Sequence, residues 1–283
     1  MADHIDADDW KTAATQFVDA AGTQFAYRRL GPKTGVPLVL LNHWGANLDN
    51  FDPRIVEGFA LDRPVYAFDY RGIGASGGKA PLTIGEMSTD MIAAIRALGL
   101  AQIDLIGFSL GGFVTQQIMF DSSGLVRRAI LAGTGPAGGK GIAKVGPVSW
   151  PLIFKGLLTF RDPKIFLFFT STSNGRRAAN AFVNRLKERK LDRDISVGFR
   201  QLLRQLKAIE AWGLQRPQPL EEIDAPVLIA NGENDIMVPT ENSVEMARRI
   251  PGARIVLYPD AGHGGIFQYH DEFLKEAKAF FAE

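Results

Sequence analysis

Gly107-Phe108-Ser109-Leu110-Gly111 sets a serine between glycines placed two residues before it and two after. That spacing suits a hydroxyl raised on a turn too sharp for side chains at the flanking positions, and the chemistry it serves is nucleophilic attack. A serine hydroxyl is a weak nucleophile near neutral pH. It needs an imidazole to take its proton and a carboxylate to hold that imidazole. The sequence contains four histidines, His4, His43, His263 and His270. His4 sits in the acidic stretch 1–9. His43 ends a strand near the site but precedes Ser109 in the chain; it reads as a buried, hydrogen-bonded histidine, with a side chain that reaches the pocket as the alternative. His270 opens a helical pattern and reads as a surface residue. His263, in Asp260-Ala261-Gly262-His263-Gly264-Gly265, follows the last strand-like run, and the order Ser, Asp, His along the chain favours it. The carboxylate falls to Asn231-Gly232-Glu233-Asn234-Asp235. Asp235 is preferred there, because Glu233 comes too early in the turn to face the loop of His263. Asp260 would have to fold back on its own loop and ranks third.

These residues need a frame. Short apolar runs at 24–30, 37–42, 64–70, 103–108 and 128–132 read as strands, and helical patterns cover 49–60, 84–98 and 110–120. Strands suited to burial on both faces, alternating with helices, imply an α/β fold with a mostly parallel sheet flanked by helices. Ser109 then falls at a strand-to-helix junction, whose free N–H groups favour a developing anion. A bare Gly-Ser turn without chemistry is the alternative, and the placement argues against it. The alternation resumes with strands at 226–231 and 254–258 and helices near 240–249 and 271–281.

Between the two halves, residues 136–219 break the pattern, bounded by a Gly-rich stretch and by Arg216-Pro217-Gln218-Pro219. The expected division is a core of 1–135 plus 220–283 with a helical cap inserted over 136–219. Ile195, Phe199, Leu202, Leu206 and Ile209 recur at helical spacing within the insertion. The insertion holds 16 Lys and Arg against 5 Asp and Glu, while the rest of the chain is net acidic. It also carries nine aromatics, among them Trp150, Phe154, Phe160, Phe166, Phe168 and Phe169. They read as its own packing and, in part, as an apolar pocket over Ser109.

Leu40–Ala46, Asp69–Ser76, Gly107–Gly112 and the pair Asp235/His263 occur in an order that resembles the α/β-hydrolase superfamily, in its branch of serine esterases, lactonases and cofactor-free perhydrolases. The likeness spans residues 24–281 and implies the α/β-hydrolase fold and a catalytic triad of Ser109, Asp235 and His263. It also implies an oxyanion hole built from the backbone N–H groups of Trp44 and Leu110. The chain departs from the family's usual His-Gly-aromatic: Asn42-His43-Trp44 puts a histidine where the glycine stands. The implied activity is hydrolysis of a carboxylic ester or lactone of a small apolar substrate through an acyl-enzyme. Perhydrolysis or C–C bond cleavage on the same triad, or ligand binding with little turnover, are the alternatives. An aspartate nucleophile is absent, which separates the chain from the epoxide-hydrolase and haloalkane-dehalogenase branches.

Other functions find less support. Gly72-Ile73-Gly74-Ala75-Ser76-Gly77 matches a dinucleotide fingerprint, but Gly78-Lys79-Ala80-Pro81 breaks the helix that such a site needs. No cofactor and no metal site are expected: the 283 residues include no cysteine and no paired histidines at helical spacing. No motif for nucleic acid is present, and no apolar run approaches the roughly 20 residues of a membrane span. The acidic start of the chain lacks an apolar signal segment, and a cytoplasmic setting is the expectation.

Overall fold

The structure is a computed structural model that describes residues 9–283; His4 lies outside them. A hairpin of β1 (Gln16–Ala20) and β2 (Thr23–Leu30) comes first. Its two-residue turn, Ala21-Gly22, has positive φ at both positions (49° and 73°), the backbone that best matches strand twist in a tight hairpin. Then follow β3 (Leu38–Leu41), α1 (Pro53–Ala60), β4 (Val65–Phe68), α2 (Ile84–Ala97), β5 (Ile103–Phe108), α3 (Leu110–Asp121) and β6 (Val126–Ala132). Four helices intervene: α4 (Val145–Leu158), α5 (Lys164–Phe168), α6 (Ser173–Leu186) and α7 (Phe199–Leu214). The chain ends through β7 (Val227–Gly232), α8 (Glu241–Arg249), β8 (Arg254–Tyr258), α9 (Gly265–Gln268) and α10 (His270–Ala282).

All eight strands form one sheet in the order β1-β2-β4-β3-β5-β6-β7-β8. Pairing is parallel from β4 to β8, whereas β2 pairs antiparallel with both β1 and β4. β3, β5 and β7 are buried along their whole length, which explains their continuous apolar runs. Because these strands are parallel, the loops that follow them all emerge at one edge of the sheet. Among the described residues, no helix is long and apolar enough to cross a membrane.

Two expected elements differ. The helix expected at 49–60 is split into a short 3-10 turn, Leu48–Asn50, and α1. Pro53 occupies the first turn of α1, and Asp52, its N-cap, is held extended (φ −65°, ψ 118°), as a residue before proline prefers. The helix drawn through Ile195 begins only at Phe199. Asp194 accepts a hydrogen bond from Leu48 N–H, and Asn47 donates to the Ile195 carbonyl, so residues 194–195 are tied to the sheet side in non-helical form. Ile195 and Phe199 are both 64% exposed, and the buried face of α7 is made instead by Gln205, Ala208, Ile209 and Trp212.

The basic helices after β6 meet acidic partners. Arg185 of α6 grips the fully buried Asp52 carboxylate at 2.7–3.1 Å, and Arg193 reaches Asp49 at 3.1 Å. Asp49 also pairs at 2.8 Å with Arg28, and both of these side chains are buried. The turn after β4 carries no helix before Ile84.

Candidate active site

Ser109 sits between β5 and α3 with φ 56° and ψ −117°, a backbone that non-glycine residues rarely adopt. The flanking glycines make that turn possible. A side chain at Gly107 would run into the Gly111 carbonyl and Thr115, and one at Gly111 into the Leu41 carbonyl of β3. The turn is further held by Ser109 N–H bonding the Ala132 carbonyl at 2.9 Å and by Thr134 Oγ1 bonding the Ser109 carbonyl at 2.9 Å.

Asp235 follows β7 and His263 follows β8. Nδ1 of His263 lies 2.7 Å from Oδ2 of Asp235, with both side chains fully buried. The other carboxylate oxygen, Oδ1, accepts from the N–H groups of Met237 (2.8 Å) and Val238 (3.0 Å). An acceptor-only carboxylate fixes the proton on Nδ1 and leaves Nε2 with its lone pair. That Nε2 is buried and has no hydrogen-bond partner among the described residues. The ring is held by Phe108 and Phe168, at centroid distances of 5.0 and 5.4 Å. No hydrogen bond joins Ser109 Oγ to His263.

The alternatives on sequence lie elsewhere. Glu233 is exposed. Asp260 accepts from Thr170 Oγ1 (3.0 Å) and Thr172 Oγ1 (2.8 Å), which tie its loop to the start of α6. His270 is the first residue of α10, 3.7 Å from Asp271.

The loop 42–46 follows β3. The backbone N–H groups of Trp44 and Leu110 donate to no acceptor among the described residues, whereas those of the residues just before them are engaged: His43 N–H bonds Asn42 Oδ1 at 2.8 Å, and Ser109 N–H the Ala132 carbonyl at 2.9 Å. Gly45 N–H donates to Gln205 Oε1 at 2.9 Å, and the Trp44 indole to the Leu202 carbonyl at 2.8 Å. α7 therefore grips this loop. His43 is neutral. Burial first, and then the Lys164 charge, hold its pKa down to about 3, against the hydrogen bond to the Trp44 carbonyl.

Ser109 opens into a cavity of about 200 Å³. His43, Trp44 and Gly45 form one wall, Ile153, Leu167, Phe168, Leu202 and Met237 the apolar remainder, with Asp162, Pro163 and Lys164 also lining it. This is below the roughly 300–1,000 Å³ common for ligand pockets, and it suits a small apolar group. Of the aromatics in the insertion, Phe168 reaches the cavity, and Trp150 packs on Trp44 at 5.8 Å. Phe154 and Phe160 are 58% and 97% exposed. The sequence reading passed over Gln205, Ile153 and Met237. A glutamine beside the apolar stripe of α7 was the one signal available for the first.

A strained serine after β5, a carboxylate after β7 and an imidazole after β8 at one edge of a parallel sheet define the class of α/β hydrolases. Residues 38–276 match the model of the Alpha/beta hydrolase family, and the chain belongs to that family. An alpha/beta hydrolase fold protein from Chitinophaga pinensis superposes with a TM-score of 0.90 at 36% identity, covering 96% of this chain and 98% of that one. In sequence the chain is similar to the proline iminopeptidase PfmaB of Pestalotiopsis fici, 25% identical over 93% of this chain and 98% of the relative. It is also similar to the pimeloyl-(acyl-carrier protein) methyl ester esterase of Vibrio atlanticus, 24% identical over 87% and 94%. These relatives support a hydrolase.

Proposed function

We propose that the chain hydrolyses a carboxylic ester or lactone of a small, apolar substrate through an acyl-enzyme on Ser109. Ser109 Oγ attacks the carbonyl carbon while His263 Nε2 takes its proton, and Asp235 holds the imidazolium that results. The N–H groups of Trp44 and Leu110 receive the oxyanion. The tetrahedral intermediate collapses, His263 returns the proton to the leaving alcohol oxygen, and water, activated by the same Nε2, releases the acid. Residues 136–219 act as a cap that walls the site and excludes long acyl chains.

The observation that carries this reading is the buried His263–Asp235 pair, with both carboxylate oxygens occupied and only Nε2 left unpartnered. The test is turnover of 4-nitrophenyl acetate, 4-nitrophenyl butanoate and γ-butyrolactone by the wild type and by Ser109→Ala. Hydrolysis that vanishes in the variant supports the reading. Peracid formation from acetate and peroxide, without ester hydrolysis, would replace it by perhydrolysis on the same residues, and no turnover by the wild type would leave a binding protein.

A further inference from the structure

His43 immediately precedes Trp44 in the loop after β3, which places an imidazole next to the peptide proposed to receive the oxyanion. Its Nδ1 is 2.8 Å from the Trp44 carbonyl, which can only accept. Nδ1 therefore carries the proton, and in the neutral ring Nε2 is a lone-pair acceptor. The ring cannot turn over without losing that bond. It is also clamped edge-on by Phe108 (5.7 Å, 82°) and Phe168 (5.0 Å, 88°). Nε2 is buried and has no hydrogen-bond partner among the described residues, and His43 lines the same cavity as Ser109. Two imidazole nitrogens, one on His43 and one on His263, are thus unpartnered in rings that both pack on Phe108 and Phe168. His263 Nε2 has its task in proton transfer; His43 Nε2 has none in that mechanism. A buried acceptor left unpaired costs free energy, which a ligand donor in the cavity would recover.

We propose that His43 Nε2 selects esters or lactones that carry an O–H or N–H donor close to the reacting carbonyl. A carbonyl oxygen held by Trp44 N–H brings the neighbouring atoms of the substrate past the imidazole. A donor there satisfies Nε2, whereas an ether or a plain chain leaves it bare. The inference rests on the reading of Ser109 as nucleophile and deepens it, from an apolar acyl substrate to one with a single donor in an otherwise apolar setting.

The experiment compares kcat/KM for phenyl 2-hydroxybutanoate, phenyl 2-methoxybutanoate and phenyl butanoate, each divided by its hydroxide-catalysed rate. The proteins are the wild type, His43→Phe, which keeps a ring between Phe108 and Phe168, and His43→Gln, which restores an acceptor. Fluorophosphonate labelling and thermal melting of each protein report the nucleophile and the fold separately. The expected result is a preference for the hydroxy over the methoxy ester of about tenfold in the wild type, falling within twofold in His43→Phe and returning in part in His43→Gln. A wild-type ratio within twofold overturns the proposal, as does a ratio unchanged in His43→Phe, or turnover of none of the three by a wild type that labels. If His43→Phe does not fold, the wild-type ratio and that of His43→Gln decide. Absence of labelling in the wild type would instead mark failure of the Ser109 reading.

Discussion

Gln205 of α7 accepts the backbone N–H of Gly45 at 2.9 Å, one residue beyond the N–H of Trp44, which has no acceptor among the described residues. Gln205 is fully buried, and the same helix takes the Trp44 indole proton on the Leu202 carbonyl. A helix of the inserted segment thus fixes the peptide proposed to receive the oxyanion. Gln205→Leu is expected to lower kcat about tenfold, about 1.4 kcal/mol, with little change in KM, because the loosened donor matters most when the oxyanion forms. Gln205→Glu keeps an acceptor and should lose less. Steady-state kinetics of both variants check this; a rise confined to KM would make Gln205 a substrate contact rather than a positioning residue.

Asp235→Asn should lower kcat by a factor on the order of 10³ to 10⁴ while KM moves little, since an amide supports neither the imidazolium nor the needed tautomer. Glu233→Gln should be close to neutral. Asp260→Asn should cost melting temperature more than rate, because Asp260 holds Thr170 and Thr172 rather than His263. Kinetics and melting curves of the three variants separate these roles.

The frame and the triad candidates were legible because their residues are constrained by short-range geometry. A strand buried on both faces must be apolar throughout, and Ser109 needs glycines at two fixed offsets. What stayed hidden depends on contacts far apart in the chain. Nothing local in Leu40–Ala46 reveals that Gln205 and Leu202, some 160 residues on, will hold it. The aromatics of the insertion show the same limit: Phe168 and Phe160 look alike in sequence, yet one touches His263 and the other is almost fully exposed. β1 escaped notice because an edge strand needs only one apolar face, and Phe17 is half exposed. The apolar repeat through Ile195 misled because Asp194 and Asn47, not helix propensity, decide the conformation there.

Ile153 and Leu167 bound the cavity beside Ser109, so shortening either should admit longer acyl groups. Ile153→Ala and Leu167→Ala are expected to raise kcat/KM for an octanoyl ester relative to an acetyl ester by about tenfold. Phe154→Ala and Phe160→Ala, at exposed positions, should leave that ratio as it is. A chain-length series of 4-nitrophenyl esters checks this, and identical profiles in all four variants would remove the insertion from substrate selection.

Asp69, directly after β4, is buried, with the Asp194 carboxylate beside it across Gly74. Burial, then the Asp194 carboxylate, raises its pKa well above the ordinary range; the Ala75 N–H and Arg28 oppose the shift. The folded chain therefore holds a proton that the unfolded chain releases near pH 4, and this contribution to stability is lost as pH rises through the raised folded value. Asp69→Asn supplies a permanent amide donor to Asp194. Its melting temperature relative to the wild type should increase with pH between 5 and 9. Parallel curves would show that Asp69 is already ionised in the folded protein.

The central claim is that Ser109 becomes covalently bonded during turnover. Its most direct measurement is peptide mass spectrometry of the protein after reaction with a fluorophosphonate. The expected adduct lies on Ser109 alone, is absent from Ser109→Ala, and forms far more slowly in a His263→Ala variant. An adduct on any other residue, or equal labelling of the Ser109→Ala protein, would contradict the assignment of the nucleophile and the mechanism built on it.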